Sequence, residues 1–194
     1  VDAEKIYTEG ITGIGSADFE FASEKGMKIK LLAMSRIQED GKICILVAPF
    51  MIPPHHPLAS VDDVFNGVVL TGNMLGETLF YGRGAGKLPT ASAVAADVID
   101  CARNPGRTVM RGWGPEKAEM ADAAEEERRF FVRCSADAAL QVSEAFWGAD
   151  GGMDTEGTYR GEEYGFFTPM IREKDFQEKC SELGSAVLGR IRLL

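Results

Sequence analysis

"FYGRGAGKLPTASAVAAD", residues Phe80–Asp97, decides how the chain is read. An apolar run leads through glycines at alternate positions, Gly82, Gly84 and Gly86, into a string of small helix formers. Glycine lets backbone amides approach an anion closely, and the N-terminus of a following helix adds partial positive charge. The spacing is G-x-G-x-G, not the dinucleotide G-x-G-x-x-G. It is not a Walker A loop either, because Leu88 follows Gly86-Lys87 and the first Walker glycine would fall on Tyr81. On spacing alone, a phosphate cradle and a ligand-free strand-to-helix turn stand about even. The stretch also comes late, with no strand–loop–helix ahead of it.

Around it the periodicities alternate. Thr90 is expected to cap a helix reaching about Arg103, with Val94, Val98 and Cys101 or Ala102 as its buried stripe. Asn104-Pro105-Gly106 should stop it. "VFNGVVLTG" and "LGETLFYG" read as strands joined at Gly72-Asn73. Nearer the start, Ser16 is expected to cap a helix over "ADFEFASEK", closed by Gly26. "MKIKLLAM" alternates as a strand, Asp40-Gly41 signals a hairpin, and "ICILVAPFMI" returns until Pro53 and Pro54. "HHPLASVDD" carries turn chemistry.

Residues 104–127 change character, with glycine, proline and charge replacing aliphatics. They read as a connector holding at most a short helix near 116–127. Beyond, "RRFFVRCSA", "DAALQVSEAFWGA", "MDTEGTYRG", "EEYGFFTPMI", "EKDFQEKCSELG" and "AVLGRIRLL" read as β-α-β-β-α-β, the order of a ferredoxin-like plait. In the first of these helices Leu140, Val142, Ala145 and Phe146 fall partly on one face.

The chemistry-bearing residues are few. With a net charge of −9 over 194 residues, nucleic acid and anionic membrane surfaces are disfavoured as partners. No apolar run approaches a bilayer span and no secretory signal is visible, so a cytoplasmic location is expected. Cys44, Cys101, Cys134 and Cys180 are scattered, form no CxxC pair, and are expected to be reduced and buried. His55 and His56 are adjacent, which suits a loop better than a metal site; no metal ligands are assigned. Glu9, Asp18, Glu20, Asp62, Asp63, Glu77 and Asp97 show no paired spacing, so solvated surface charge is expected for most of them. Lys28 and Lys30 share a strand face, most simply a solvated one. Phe130, Phe131, Phe146, Trp147, Phe166 and Phe167 are most simply core.

Four segments together resemble homoserine dehydrogenase. They are Ile6-Tyr7-Thr8-Glu9-Gly10-Ile11, "HPLASV" (56–61), "VFNGV" (64–68) and "GETLFYGRGAGKLPTASAVAADVID" (76–100), in the family's order and spacing. The resemblance covers about residues 1–104. It implies an oxidoreductase interconverting L-aspartate 4-semialdehyde and L-homoserine with NADH or NADPH, acting as a homodimer. It implies that an N-terminal Rossmann domain, together with the family's catalytic lysine and aspartate, lies upstream of Val1. Neither Lys28 nor Lys30 matches that motif, so no catalytic residue is assigned and the chain alone is expected to be inactive. The glycine segment is implied to fold against the cofactor held by that other domain, with Gly86 at the cofactor, Gly82, Gly84 and Ala85 shaping the loop, and Thr90 behind it.

The expected fold is therefore α+β. Residues 1–104 should form a partial substrate-binding and dimerisation domain, a mixed sheet with helices on one face. Residues 105–127 connect it to an ACT-like plait at 128–194. Asp137-Ala138-Ala139-Leu140 stands where the family's ACT unit has an Asp-Arg-Pro-Gly turn, a departure that counts against effector binding. The alternative is a non-catalytic dimerisation and amino-acid-sensing module.

Overall fold

The computed structural model describes residues 1–107, 116–148 and 157–194. In chain order they form β1 (Tyr7–Thr8), α1 (Ser16–Glu24), β2 (Lys28–Ile37), β3 (Ile43–Ile52), β4 (Phe65–Gly72), β5 (Gly76–Arg83) and α2 (Lys87–Arg103). Then come β6 (Glu127–Arg128), β7 (Phe130–Ser135), α3 (Ala139–Trp147), β8 (Thr158–Arg160), β9 (Glu163–Phe167), β10 (Ile171–Arg172), α4 (Glu173–Leu183) and β11 (Val187–Leu193). They divide into two compact units, Val1–Pro53 with Lys117–Leu194, and Pro54–Glu116. This division falls differently from the expected boundaries at 104 and 128.

The first unit is a seven-stranded mixed sheet. β3 is its hinge strand. One edge pairs antiparallel with β2 along its whole length, from Lys28 opposite Ile52 to Ile37 opposite Ile43. The turn between them has Gly41 at φ 83°, as Asp40-Gly41 requires. The other edge of β3 is shared by two parallel strands: β1 at Leu46 and Val47, and β11 at Phe50 and Met51. Beyond β11 the order is β7, β9, β8, all antiparallel, so the residues from β7 onward keep the split β-α-β arrangement.

Helices cover both faces of this sheet, not one as expected, and the strand period shows why. Phe130, Val132 and Cys134 of β7, with Tyr164 and Phe166 of β9, pack against Ala139, Val142 and Phe146 of α3 and Phe176 and Cys180 of α4. The alternate residues, Phe131 and Phe167, turn the other way to meet Phe21 and Ala22 of α1, with Met51 and Ile191. A Cβ on Gly165 would lie 2.8 Å from Phe131 and 2.9 Å from Phe21, so the two rings fill the place of its missing side chain. Strands expected to belong to separate domains thus share one sheet and one core. Leu140, expected on the buried face of α3, is exposed, and Ser143 is buried instead.

Four charged residues are buried among the described residues, Asp18, Arg133, Glu173 and Arg192. Asp18, expected on the surface, is fully buried. Its carboxylate accepts the Gly15 N–H at 2.8 Å at the start of α1 and the Arg133 Nε–H at 2.8 Å from β7. Gly15 rather than Ser16 is the cap residue, so the acidic side chain at the third helical position closes the helix end. Burial works against the Arg133 charge, but Asp18 and Glu163 hold its pKa above the ordinary value.

In the connector, the short helix allowed near 116–127 amounts to one 3-10 turn among the described residues. The described residues give a single 3-10 turn at Ala123–Glu125, with Ala123 buried, and a bridge between Ile43 and Met120. β6 then pairs antiparallel with β10. Part of the segment expected to be the second plait strand, and residues 108–115 of the connector, lie outside the described residues.

The second unit is simpler. β4 and β5 form a hairpin in register from Phe65 opposite Arg83 to Gly72 opposite Gly76. One face carries Gly67, where a Cβ would meet Leu58 and Val61 at 2.8 Å, so the short helix Pro57–Ser60 and its exit cover it. His56 caps that helix through Nδ1, which accepts the Leu58 N–H at 3.2 Å. The loop reading of the histidine pair therefore fits, and no group of three metal-ligating side chains occurs among the described residues. No helix among them is long and apolar enough to cross a membrane.

Candidate functional site

The glycine segment runs off the end of β5 and turns into α2. Each glycine has its own setting. Gly82 sits opposite Asn66 in the hairpin register. At Gly84, a Cβ would run into the Asn66 side-chain amide, so this position admits only glycine while Asn66 keeps its place. Gly86 has φ 115°, a backbone that L side chains rarely adopt, and it is the N-cap residue of α2.

The helix therefore begins earlier than expected. Thr90 is not its cap but lies in the first turn, its N–H donating to the Gly86 carbonyl at 3.1 Å. Pro89 fits the first turn because its missing N–H is not needed there. A glycine cap supplies no side-chain acceptor, so the N–H groups of Gly86, Lys87 and Leu88 have no partner within the helix. Gly82, Gly84, Ala85, Gly86 and Thr90 are all exposed. These five residues lie at one exposed helix entry, with amides that have no partner among the described residues. That set suits the polar part of a dinucleotide, which needs close backbone approach and a positive dipole end.

Asn66 was not singled out from the sequence, although "VFNGV" was. Its hairpin register with Gly82 is the signal that could have found it. Next to it, the Phe65 and Tyr81 rings stack at 4.8 Å, and the Arg83 guanidinium lies 5.0 Å from the Phe65 ring centre. Glu77 sits near the hairpin turn, opposite Thr71 and exposed.

The stripe expected to be buried on α2 is not. Val94 and Val98 are about 60% exposed, and Leu88, Ile99 and Cys101 are exposed too. Of the 17 residues of α2 only Pro89 is even half-buried. The uncovered face of the hairpin is apolar as well, with Val68, Leu70 and Phe80 all more than half exposed. A long helix with an apolar stripe and nothing on it is a surface built to be covered.

An α+β architecture on a mixed sheet is also that of solved homoserine dehydrogenases. The structure matches the enzyme from Thiobacillus denitrificans with a TM-score of 0.77 and 30% identity, covering 98% of this chain and 48% of that one. It matches the S. aureus enzyme with a TM-score of 0.68 and 26% identity, covering 100% and 48%. The homoserine dehydrogenase family pattern matches residues 1–99, and the chain belongs to that family. Among curated relatives, the homoserine dehydrogenase of Neisseria gonorrhoeae is 52% identical over 97 residues, which are 50% of this chain and 22% of that protein. That of Mycobacterium tuberculosis is 42% identical over 125 residues, 62% and 28%. The chain therefore spans about half the length of the solved relatives, and its match covers about a quarter of the curated ones.

Proposed function

We propose that this chain works as part of a homoserine dehydrogenase, interconverting L-aspartate 4-semialdehyde and L-homoserine. The observation that supports it is the glycine loop at the entry of α2 beside an uncovered apolar face, within the residues that match the family. In this reading a domain outside these 194 residues holds most of the dinucleotide and seats on that face. NADH or NADPH, when bound, would supply a hydride to the aldehyde carbon, and the aldehyde oxygen would take a proton. Gly82, Gly84, Ala85 and Gly86 bring backbone close to the cofactor, and the amides at the start of α2 orient its polar groups. Thr90 stands behind them in the first turn. Covering the face also keeps water from the reacting groups. No catalytic acid or base is assigned within this chain, and a homodimer is the expected assembly.

The test compares the whole gene product with the 194-residue chain, each supplied with homoserine and NADP or NAD. The whole product should reduce the nucleotide and the isolated chain should not. Turnover by the isolated chain overturns this placement of the chemistry.

A second reading is favoured by the strand order β11-β7-β9-β8 with α3 and α4 on one face. It makes residues 128–194 an ACT-like unit, serving dimerisation or amino-acid sensing. Calorimetry with threonine decides whether it senses: saturable binding supports a sensor, and its absence leaves a structural unit, as Asp137-Ala138-Ala139-Leu140 suggests.

A further inference from the structure

Away from the glycine loop, the first unit holds a cavity of about 390 Å³. Met34 of β2, Leu46 and Phe50 of β3, and Met170 ahead of β10 form apolar wall. Three arginines, Arg36, Arg128 and Arg129, also line it. Two of them are already in use. Arg36 donates to the Glu126 carboxylate, which also accepts from Gln38. Arg129 donates to the Thr168 carbonyl at 2.9 Å and lies over the Phe167 ring.

Arg128 differs. Its side chain is nine-tenths buried, yet among the described residues it makes no hydrogen bond. Its ion-pair partner is Glu173, 3.3 Å from Nε, and that carboxylate is already taken by Arg192 at 2.5 and 3.0 Å; the charges of Arg192 and Glu126 also act on it. Burial lowers the Arg128 pKa, and Glu173 offsets this only in part. The Arg128 Nε is buried without a hydrogen-bond partner, and buried polar groups in native proteins normally have one.

We propose that this cavity binds a small carboxylate with an aliphatic body, its carboxylate paired with Arg128. A planar carboxylate matches the guanidinium fork. The acidic side chains of Glu126 and Glu127 at the wall disfavour a dianion such as phosphate. The volume lies in the range of small-molecule sites, and the methionines suit a flexible chain. Such a ligand would touch both the β2–β3 hairpin and the β6–β10 ladder. The inference rests on these residues alone and not on the homoserine dehydrogenase reading.

Titrating the isotopically labelled 194-residue chain by amide NMR tests it, with hexanoate, 1-hexanol and inorganic phosphate as probes. Hexanoate should bind saturably, with shifts at Leu46, Phe50 and Arg128. Hexanol should bind about tenfold more weakly or worse, and phosphate should leave these amides unmoved. Arg128→Met should weaken hexanoate about tenfold or more while leaving hexanol unchanged. Glu173 keeps Arg192 in that variant, so no carboxylate is stranded. Met34→Trp, which fills the cavity from the edge strand with Arg128 intact, should also abolish hexanoate binding. Equal affinity for acid and alcohol, a phosphate response, hexanoate affinity unmoved in either variant, or no saturation by about 10 mM each overturns the proposal.

Discussion

Arg192 of β11 and Glu9, just after β1, are 183 positions apart in the chain and 2.6 Å apart in space. The same guanidinium holds Glu173 through two bonds and the Tyr7 hydroxyl at 3.1 Å. It is 3% exposed, and although burial works against its charge, Glu173 and Glu9 raise its pKa above the ordinary value. One side chain thus ties the first strand, the last strand and the start of α4 together.

Replacing it should be severe. Arg192→Met is expected to cost about 3 kcal/mol, since it removes the main partner of a buried carboxylate. Glu9→Gln, at a more exposed partner, should cost about 1 kcal/mol. Urea denaturation of the two variants measures the difference; equal losses would show that Arg192 acts mainly through Glu9.

Gly165→Ala is expected to destabilise by about 1–3 kcal/mol through overpacking. The added methyl lands between Phe21 and Phe131, which come from opposite parts of the chain. Phe131→Leu in the same background should recover part of the loss, and thermal melts of the single and double variants provide the check.

The cysteines give a chemical test. Cys101 is exposed, whereas Cys44, Cys134 and Cys180 are buried. In the 194-residue chain a thiol reagent should modify Cys101 rapidly and the other three only on unfolding. Burial also pushes the Cys134 thiol from 9.0 up to about 11. Below the lower value both folded and unfolded chains keep the proton. Above it the unfolded chain ionises first, so stability is lost as pH rises from 9 to about 11. Melting curves across that window should fall less steeply for Cys134→Ala than for the natural chain.

Gly84→Ala forces the Asn66 side chain to move. On the proposed function, this should raise the KM of the whole gene product for the dinucleotide several-fold, with a smaller effect on the KM for homoserine. Adding Asn66→Gly makes room for the new methyl group. Recovery would assign the effect to loop shape, and persistence would assign Asn66 a direct part.

Local chemistry made much of this legible. Asp40-Gly41, Gly26 and Gly184 mark turns and helix ends where positive φ occurs, alternation placed β2, and the hairpin signal placed β3. A helix after the glycine segment was legible too, though Gly86 took the capping role expected of Thr90. What could not be read was pairing across distance. Nothing local says that β11 lies beside β3, or that Asp18 turns inward to meet Arg133. An arginine within "FFVRC" was a hint of a buried ion pair, without naming its partner. Nor does periodicity reveal what covers a face: Val94 and Val98 have core spacing on a helix whose face no other described residue covers.

The shared edge of β3 also sets an order of events. Its contact with β2 needs only a short turn, and β1 is made before it. Its contact with β11 waits until residues 187–193 have been synthesised, and parallel pairing across such a distance is slow. Until then Phe50 and Met51 present an open strand edge, a template for pairing with another molecule. Translation speed through the intervening segment therefore governs how long each nascent chain stays vulnerable to aggregation.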